Sequence, residues 1–217
     1  MYDFHNSALS PIQTILLNAA ILSIIVVSLM RSERSLRSQS QWTMLALLFV
    51  FGVSGRILLD PLPNVQPVTV LVLLAGVYYG APRAFALAAT IALASNILYL
   101  GHGPWTIFQA VGWGLVGVLG ASLADRLIVD GQLRMTPLVI VAAGSGFAFN
   151  WFVSLSILLG PGSSMLVPYL LNGLSFDLYH AAGNIAFVAW MSAPLGEMML
   201  RHRKDPSRKS VRDVASN

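Results

Sequence analysis

The chain has 217 residues, 56% of them hydrophobic and 10% charged, with a formal net charge of +4 and no cysteine, and its mean hydropathy is +0.71. A water-soluble globule of this size cannot cover so much apolar side chain with so little polar surface, so the composition excludes a soluble fold and predicts an integral membrane protein. The missing cysteines exclude disulfides and thiolate metal ligands.

In lipid only helices and closed barrels satisfy every backbone polar group. Long apolar runs such as Ile12–Met30 and Trp42–Ile57, without period-two alternation, select helices. Seven crossings are predicted, near Pro11–Met30, Gln41–Leu59, Val68–Gly80, Arg83–Leu100, Trp105–Ile128, Met135–Leu159 and Ser175–Leu200. The third is short for a full span and is read as tilted or extended by its Pro-rich approach, with an interfacial or re-entrant segment as the alternative.

The basic residues orient this arrangement. With seven helices, Arg31, Arg34, Arg37, Arg83, Arg126, Arg134, Arg201, Arg203, Lys204, Arg208, Lys209 and Arg212 fall on one side, and of the thirteen Lys and Arg only Arg56 falls toward the other. The positive-inside rule then makes the tail and the odd-numbered loops cytoplasmic and puts Met1–Ser10 outside. The first helix lacks a basic segment before it and a small-residue cleavage site near Met30, so it is expected to be a retained anchor rather than a signal peptide. The pI near 9.8 reflects this basic rim and tail, for which anionic lipid headgroups, not nucleic acid, are the expected counter-charge. Three regions follow: residues 1–41 with the N-terminal helix and basic loop, a six-helix core over 42–200, and a solvated basic tail over 201–217.

Small residues suggest how the helices pack. Ala84, Ala86, Ala88 and Ala89 recur in one helix and Gly114, Gly117, Gly120 and Ala121 in another, permitting the close backbone approach that drives association in lipid. These are expected to be scaffold.

Three polar stretches interrupt the apolar chain on one face of the bilayer: Pro63–Thr69 (PNVQPVT), Gly101–Thr106 (GHGPWT) and Phe176–Asn184 (FDLYHAAGN). Around them the candidate binding residues are Asn64, Gln66, Asn96, Tyr99, His102, Trp105, Gln109, Trp113, Asn150, Phe176, Asp177, His180 and Asn184. Pro168 and Gly173 are expected to break the chain before Ser175, placing Asp177, His180 and Asn184 on one face in the first turns of the last helix. Each residue has a plainer explanation. Asp177 could complement the helix dipole with Ser175 as cap, Arg56 could snorkel to headgroups rather than pair with Asp177, Trp105 could sit in an aromatic belt, and His180 could bond a neighbouring helix. Their clustering favours a cavity open to the outside, because polar groups in membrane segments are costly and tend to face cavities.

The only lysines are Lys204 and Lys209, and no GxxxxGK[ST] loop exists to hold nucleotide phosphates. Any ATP-driven work must be done by partners.

From about Leu45 to Arg201 the sequence resembles the membrane-embedded substrate-binding S components of energy-coupling factor (ECF) transporters. The carriers are GRILLDPLPNVQPVTVLVLLAGVYYGAPRAF at Gly55–Phe85, GHGPWTIFQAVGWGLVG at Gly101–Gly117 and FDLYHAAGNIAF at Phe176–Phe187. In this order and spacing they look like the subgroup associated with cobalamin uptake. The resemblance implies an all-α, six-helix core that captures a vitamin-like molecule outside, docks on a membrane T subunit carrying two ATPase subunits, and reorients to release its ligand inside. It implies a non-enzymatic subunit of a cell-membrane importer with no prosthetic group, cobalamin being substrate. Two features depart from the family pattern. The AxxxA contact of the first core helix is not cleanly present, although Ala46, Gly52, Ser54 and Gly55 supply small positions, and the N-terminal helix is extra, with Ala19, Ala20 and Ser23 available to pack it.

The residues suit a large flat ligand without singling one out. Tyr99, Trp105, Trp113, Phe176 and Tyr179 offer ring faces, and Asn96, Gln109, Asp177 and Asn184 offer directional hydrogen bonds. A cobalt ligand from this chain would be the imidazole of His102 or His180, with hydrogen bonding the stronger reading. Two alternatives belong to other classes: a solitary or secondary transporter without ATPase partners, and an intramembrane serine protease using Ser145 of AGSG with His180. Against the protease, Ala143 departs from the rhomboid GxSG pattern, and Gly144–Gly146 reads better as a helix-packing notch.

Overall fold

The computed structural model describes residues 9–32, 39–159 and 165–202. Within them the chain is an all-α membrane protein with one small hairpin. In order come α1 (Pro11–Ser32), α2 (Gln39–Leu58), α3 (Val68–Tyr79), α4 (Ala81–Ser95), α5 (Trp105–Ser122), the four-residue α6 (Ala124–Leu127), the antiparallel pair β1 (Ile128–Val129) and β2 (Gln132–Leu133), α7 (Met135–Ser154) and α8 (Leu166–His202). A π-helical turn, Asn96–Leu100, continues α4, and a 3-10 turn, Leu155–Leu159, continues α7. Five helical segments are long and apolar enough to cross a membrane: Pro11–Ser32, Gln41–Leu58, Ala81–Leu100, Trp105–Ser122 and Met135–Leu159. Helix α3 falls short in length, and α8 carries Asn172, Asp177, His180 and Asn184 along its course.

Helix α3 is the axis of the bundle. Every one of its residues is buried, and α2, α4, α5, α7 and α8 all pack against it. Twelve residues rise only about 18 Å, well below the ~30 Å of a hydrocarbon core. Its full burial means that it is shielded by protein, not by lipid. Glycines set the spacing on its α5 side. A side chain at Gly76 would strike the backbone carbonyl of Gly117, one at Gly120 would strike that of Leu73, and one at Gly117 would strike Ala84. The predicted small-residue packing is thus what lets α3, α4 and α5 approach so closely.

Several boundaries differ from expectation. The fifth predicted crossing stops at Ser122, and α6 and the hairpin occupy 124–133, with Asp130 and Gly131 at positive φ making the tight turn. The last helix begins at Leu166, not Ser175. Pro168 is tolerated because it lies in the first helical turn, where backbone N–H groups have no intrahelical acceptor, and the position of a Gly173 Cβ is open space.

Helix α1 lies outside this core, against α4 and more lightly α5. Ala19 and Ser23, proposed as packing positions, are exposed, as is most of the helix; Leu17, Ile21, Ile24 and Ile25 make the contact instead. That spacing is an ordinary helical stripe. Arg34, Arg37 and the basic residues from Arg203 onward lie outside the described residues.

Candidate functional site

The three polar stretches meet at one end of the bundle, where α2, α4 and α7 finish and α3 and α5 begin. One layer is organised by Arg56 near the end of α2. Its Nε donates to Gln66 Oε1 at 3.0 Å, and its Nη1 donates to Asn96 Oδ1 at 3.0 Å and to Ser95 Oγ. Asn96 in turn donates to Thr106 Oγ1 at 2.9 Å and Gln109 Oε1 at 2.7 Å. His102 Nδ1 lies 3.1 Å from the Thr106 hydroxyl. Arg56 is only 3% exposed, so it does not snorkel, and no ion pair joins it to Asp177. The explanation is geometric: the loop after α2 folds back and presents Gln66, while α4 ends with two acceptors at the same level.

The second layer runs from α3 to α8. Trp113 Nε1 donates to Thr69 Oγ1 at 3.1 Å, and that hydroxyl lies 2.8 Å from His180 Nε2. His180 Nδ1 lies 3.0 Å from Asn150 Oδ1, Asn150 Nδ2 donates to Asp177 Oδ1 at 2.9 Å, and Trp151 Nε1 donates to Asp177 Oδ2 at 2.9 Å. The order of donors fixes the imidazole tautomer. Asn150 gives its amide to Asp177 and so offers only Oδ1 to the ring, which makes Nδ1–H the donor; in the neutral imidazole Nε2 then accepts the Thr69 proton while that hydroxyl accepts from Trp113. Trp113 connects the layers: the Arg56 guanidinium sits 4.8 Å from its ring centroid, and its other face stacks on Phe149 at 4.3 Å.

Ten of the proposed residues take part directly or form the rim. Asn96, Trp113, Asp177 and His180 are buried; Gln66, His102, Gln109 and Asn150 are half-buried members of the network. Asn64, at positive φ in the loop, reaches the Phe176 carbonyl at a long 3.5 Å. Trp105 is half-buried, its ring lying where a Gly103 side chain would be. Three aromatics and one amide stand apart from this network. Tyr99, Phe176 and Tyr179 are 62%, 44% and 54% exposed and stand outside the network, Tyr99 because the π-helical turn rotates it off the α4 face. Asn184 instead donates to the Ala142 carbonyl at 2.9 Å, clamping α8 to α7.

Two further expectations are corrected. Because α8 starts at Leu166, Asp177 is well inside the helix, and its charge faces Asn150 and Trp151 rather than a helix dipole. The polar side chains also spend their hydrogen bonds on one another, so Asn96, Asp177 and His180 are covered instead of lining an open cavity. Thr69, Ser95, Thr106 and Trp151 went unpredicted as site residues. Thr69 and Thr106 close two of the polar stretches, whereas Ser95 and Trp151 lie in runs too apolar to stand out.

Burial pushes the His102 imidazole below its ordinary range, and its Nε2 is enclosed without a partner. Ser145 and His180 do not form a dyad: both His180 nitrogens are engaged by Thr69 and Asn150, and Ser145 Oγ has no hydrogen-bond partner. Gly146 packs tightly against α8 at His180 and Ala181, as a packing notch does. No protein-family model, curated protein or solved structure matches the chain.

Proposed function

We propose that the chain is the substrate-binding S subunit of an ECF-type importer, with α2–α5, α7 and α8 as its six-helix core and α1 as an addition. The observation that carries this reading is the convergence of three sequence-distant polar stretches on one end of an otherwise apolar bundle. Polar side chains are expensive at that depth, and a network drawing on six helices and two loops is more than packing alone requires. The half-buried rim, Asn64, Gln66, His102, Trp105, Gln109 and Asn150, would meet a vitamin-like ligand on the outer face, cobalamin first among the candidates. The covered residues, Arg56, Asp177 and His180, would hold that rim in place. The missing P-loop assigns energy to a T subunit and two ATPases, with the N-terminus outside and the C-terminus in the cytoplasm of a bacterial or archaeal cell. Ala46 and Ser54, exposed on α2, are the small positions available for docking on the T subunit.

Thermal shift of the purified chain with cobalamin, cobinamide, thiamin and riboflavin tests the ligand. Stabilisation by corrinoids alone is expected, and a shift with thiamin or riboflavin only would reassign the substrate. Copurification of a T subunit and ATPases with the tagged chain separates the importer from a solitary transporter. If an imidazole touches the corrinoid cobalt it is His102 through Nε2, since both nitrogens of His180 are occupied; His102→Ala would then change the visible spectrum of the complex.

A further inference from the structure

At the end of the bundle away from the polar network, Gly80 alone joins α3 to α4. It stands at positive φ as the N-cap of α4, offers no side-chain cap, and a Cβ there would meet nothing within 4 Å. Pro82 follows in the first turn and has no N–H. The start of α4 is thus a positive helix end with no side-chain acceptor of its own and open space before it.

Arg83 lies in the same turn. Its side chain runs back past Gly80, where Nη1 donates to the Tyr79 carbonyl at 3.0 Å. The residue is only 7% exposed, and its Nε is enclosed without a partner; Nη2 has no acceptor in the chain either, but unlike Nε it is not sealed off. Among the described residues no carboxylate pairs with this cation. A buried, incompletely partnered guanidinium and an open helix N-terminus are independent features, and both call for an anion at one place. Depth identifies the anion. The segment Ala81–Leu100, α4 with its π-helical turn, has 20 residues, about 30 Å, and meets the polar network at its far end. Arg83 is therefore about one hydrocarbon thickness from that network, at the headgroup level of the opposite leaflet. Helix α1 packs along α4 and ends at the same level, because only residues 33–38 separate it from the start of α2. There it presents the exposed Met30 and Arg31.

We propose that the start of α4 holds the phosphate of one anionic phospholipid, received by Arg83 Nη2 and the first-turn amides of α4, with the acyl chains along the exposed flank of α1. A zwitterionic headgroup would bring its own cation toward an arginine that has no carboxylate. Free phosphate would make no use of the apolar flank. The short turn encloses Arg83 without completing it, and the lipid supplies the missing counter-charge; in micelles without such a lipid the loss of Arg83 costs little. The site shares no side chain with the polar network and does not depend on the importer reading.

The test is native mass spectrometry of the full chain, released from a neutral detergent containing equal amounts of phosphatidylglycerol and phosphatidylcholine. Wild type should retain one phosphatidylglycerol about tenfold more tightly than phosphatidylcholine, the effect of one charge-assisted hydrogen bond. Arg83→Met should erase that preference. Ala81→Asp, which places a carboxylate of the chain's own in the first turn, should erase it too while raising the unfolding temperature in lipid-free detergent, a rise that a misfolded variant would not show. Replacing Arg126 and Arg134, exposed arginines of the same face, by Met together should leave it intact. Equal retention of the two lipids overturns the proposal and leaves a partner protein's carboxylate as the anion. A preference that survives Arg83→Met, or is lost with Arg126 and Arg134, overturns it in favour of a diffuse basic rim. Displacement of phosphatidylglycerol by millimolar inorganic phosphate, but not by chloride at equal ionic strength, would assign the site to free phosphate and overturn the lipid.

Discussion

Two arginines are buried at opposite ends of this bundle, and they are treated very differently. Arg56 is 3% exposed and Arg83 7%, and neither has a carboxylate partner; the ion pair among the described residues is the exposed Arg201–Glu197. Arg56 is met by side-chain oxygens from three residues and by the face of Trp113. Arg83, in the first turn of α4 just past Gly80, donates to the Tyr79 carbonyl at 3.0 Å, while its Nε is enclosed without an acceptor. Expected as a loop cation, it is held inside because a single glycine joins α3 to α4. Burying a charge is costly unless neutral dipoles or a counter-charge replace water. At the Arg56 end three side-chain oxygens and an indole face provide that replacement, which marks a charge the fold is built around; at Arg83 enclosure is a by-product of a short turn.

Substitutions sharpen or break this contrast. Arg56→Met should have the largest effect, because Gln66, Ser95 and Asn96 would keep buried oxygens with no donor. A loss of about 3 kcal/mol or more is expected from two or more charge-assisted bonds, read by equilibrium unfolding in mixed micelles. Arg56→Lys should recover only part, since a compact ammonium cannot reproduce the planar fork. Asp177→Asn should cost about 1–3 kcal/mol in the same assay, because its new amide donor would face the Asn150 or Trp151 donor. Arg83→Met should stay within about 1 kcal/mol of wild type, replacing a poorly satisfied buried ion with a side chain of similar reach. Equal losses for Arg56→Met and Arg83→Met would erase the distinction between the two ends.

Much of this was visible in the sequence, for identifiable reasons. Hydropathy located the helices because lipid demands long apolar runs, and the glycines of α5 announced close packing because nothing else explains them there. The clustering of His102, Gln109, Asp177 and His180 at one end followed from helix direction alone. What could not be read depended on partners distant in the chain. Nothing local to Arg56 tells whether it reaches headgroups or turns inward; that is decided by Gln66 and by the level at which α4 ends. Ser95 looks like an ordinary member of an apolar helix until Arg56 arrives beside it, and Thr69 gains its meaning only from Trp113 and His180. Tyr99 stands outside the network on a π-helical turn that its sequence does not announce, and the start of α8 is hidden because a proline in a first turn resembles a break.

His102 gives the smallest effect and the sharpest probe of the rim. Its lowered pKa comes from burial, which disfavours the imidazolium in the folded chain. Between the unfolded value, near 6.5, and the lower folded value, the unfolded chain binds more protons, so this residue makes the fold less stable as pH falls through that window. His102→Gln keeps a polar side chain beside Thr106 and removes the titration. The stability of wild type relative to His102→Gln should therefore decline between pH 7 and pH 5, with the difference flat above pH 7. A difference independent of pH would mean that the ring takes up its proton in the folded chain as readily as in water, which would make His102 part of the wetted surface and not of the enclosed network.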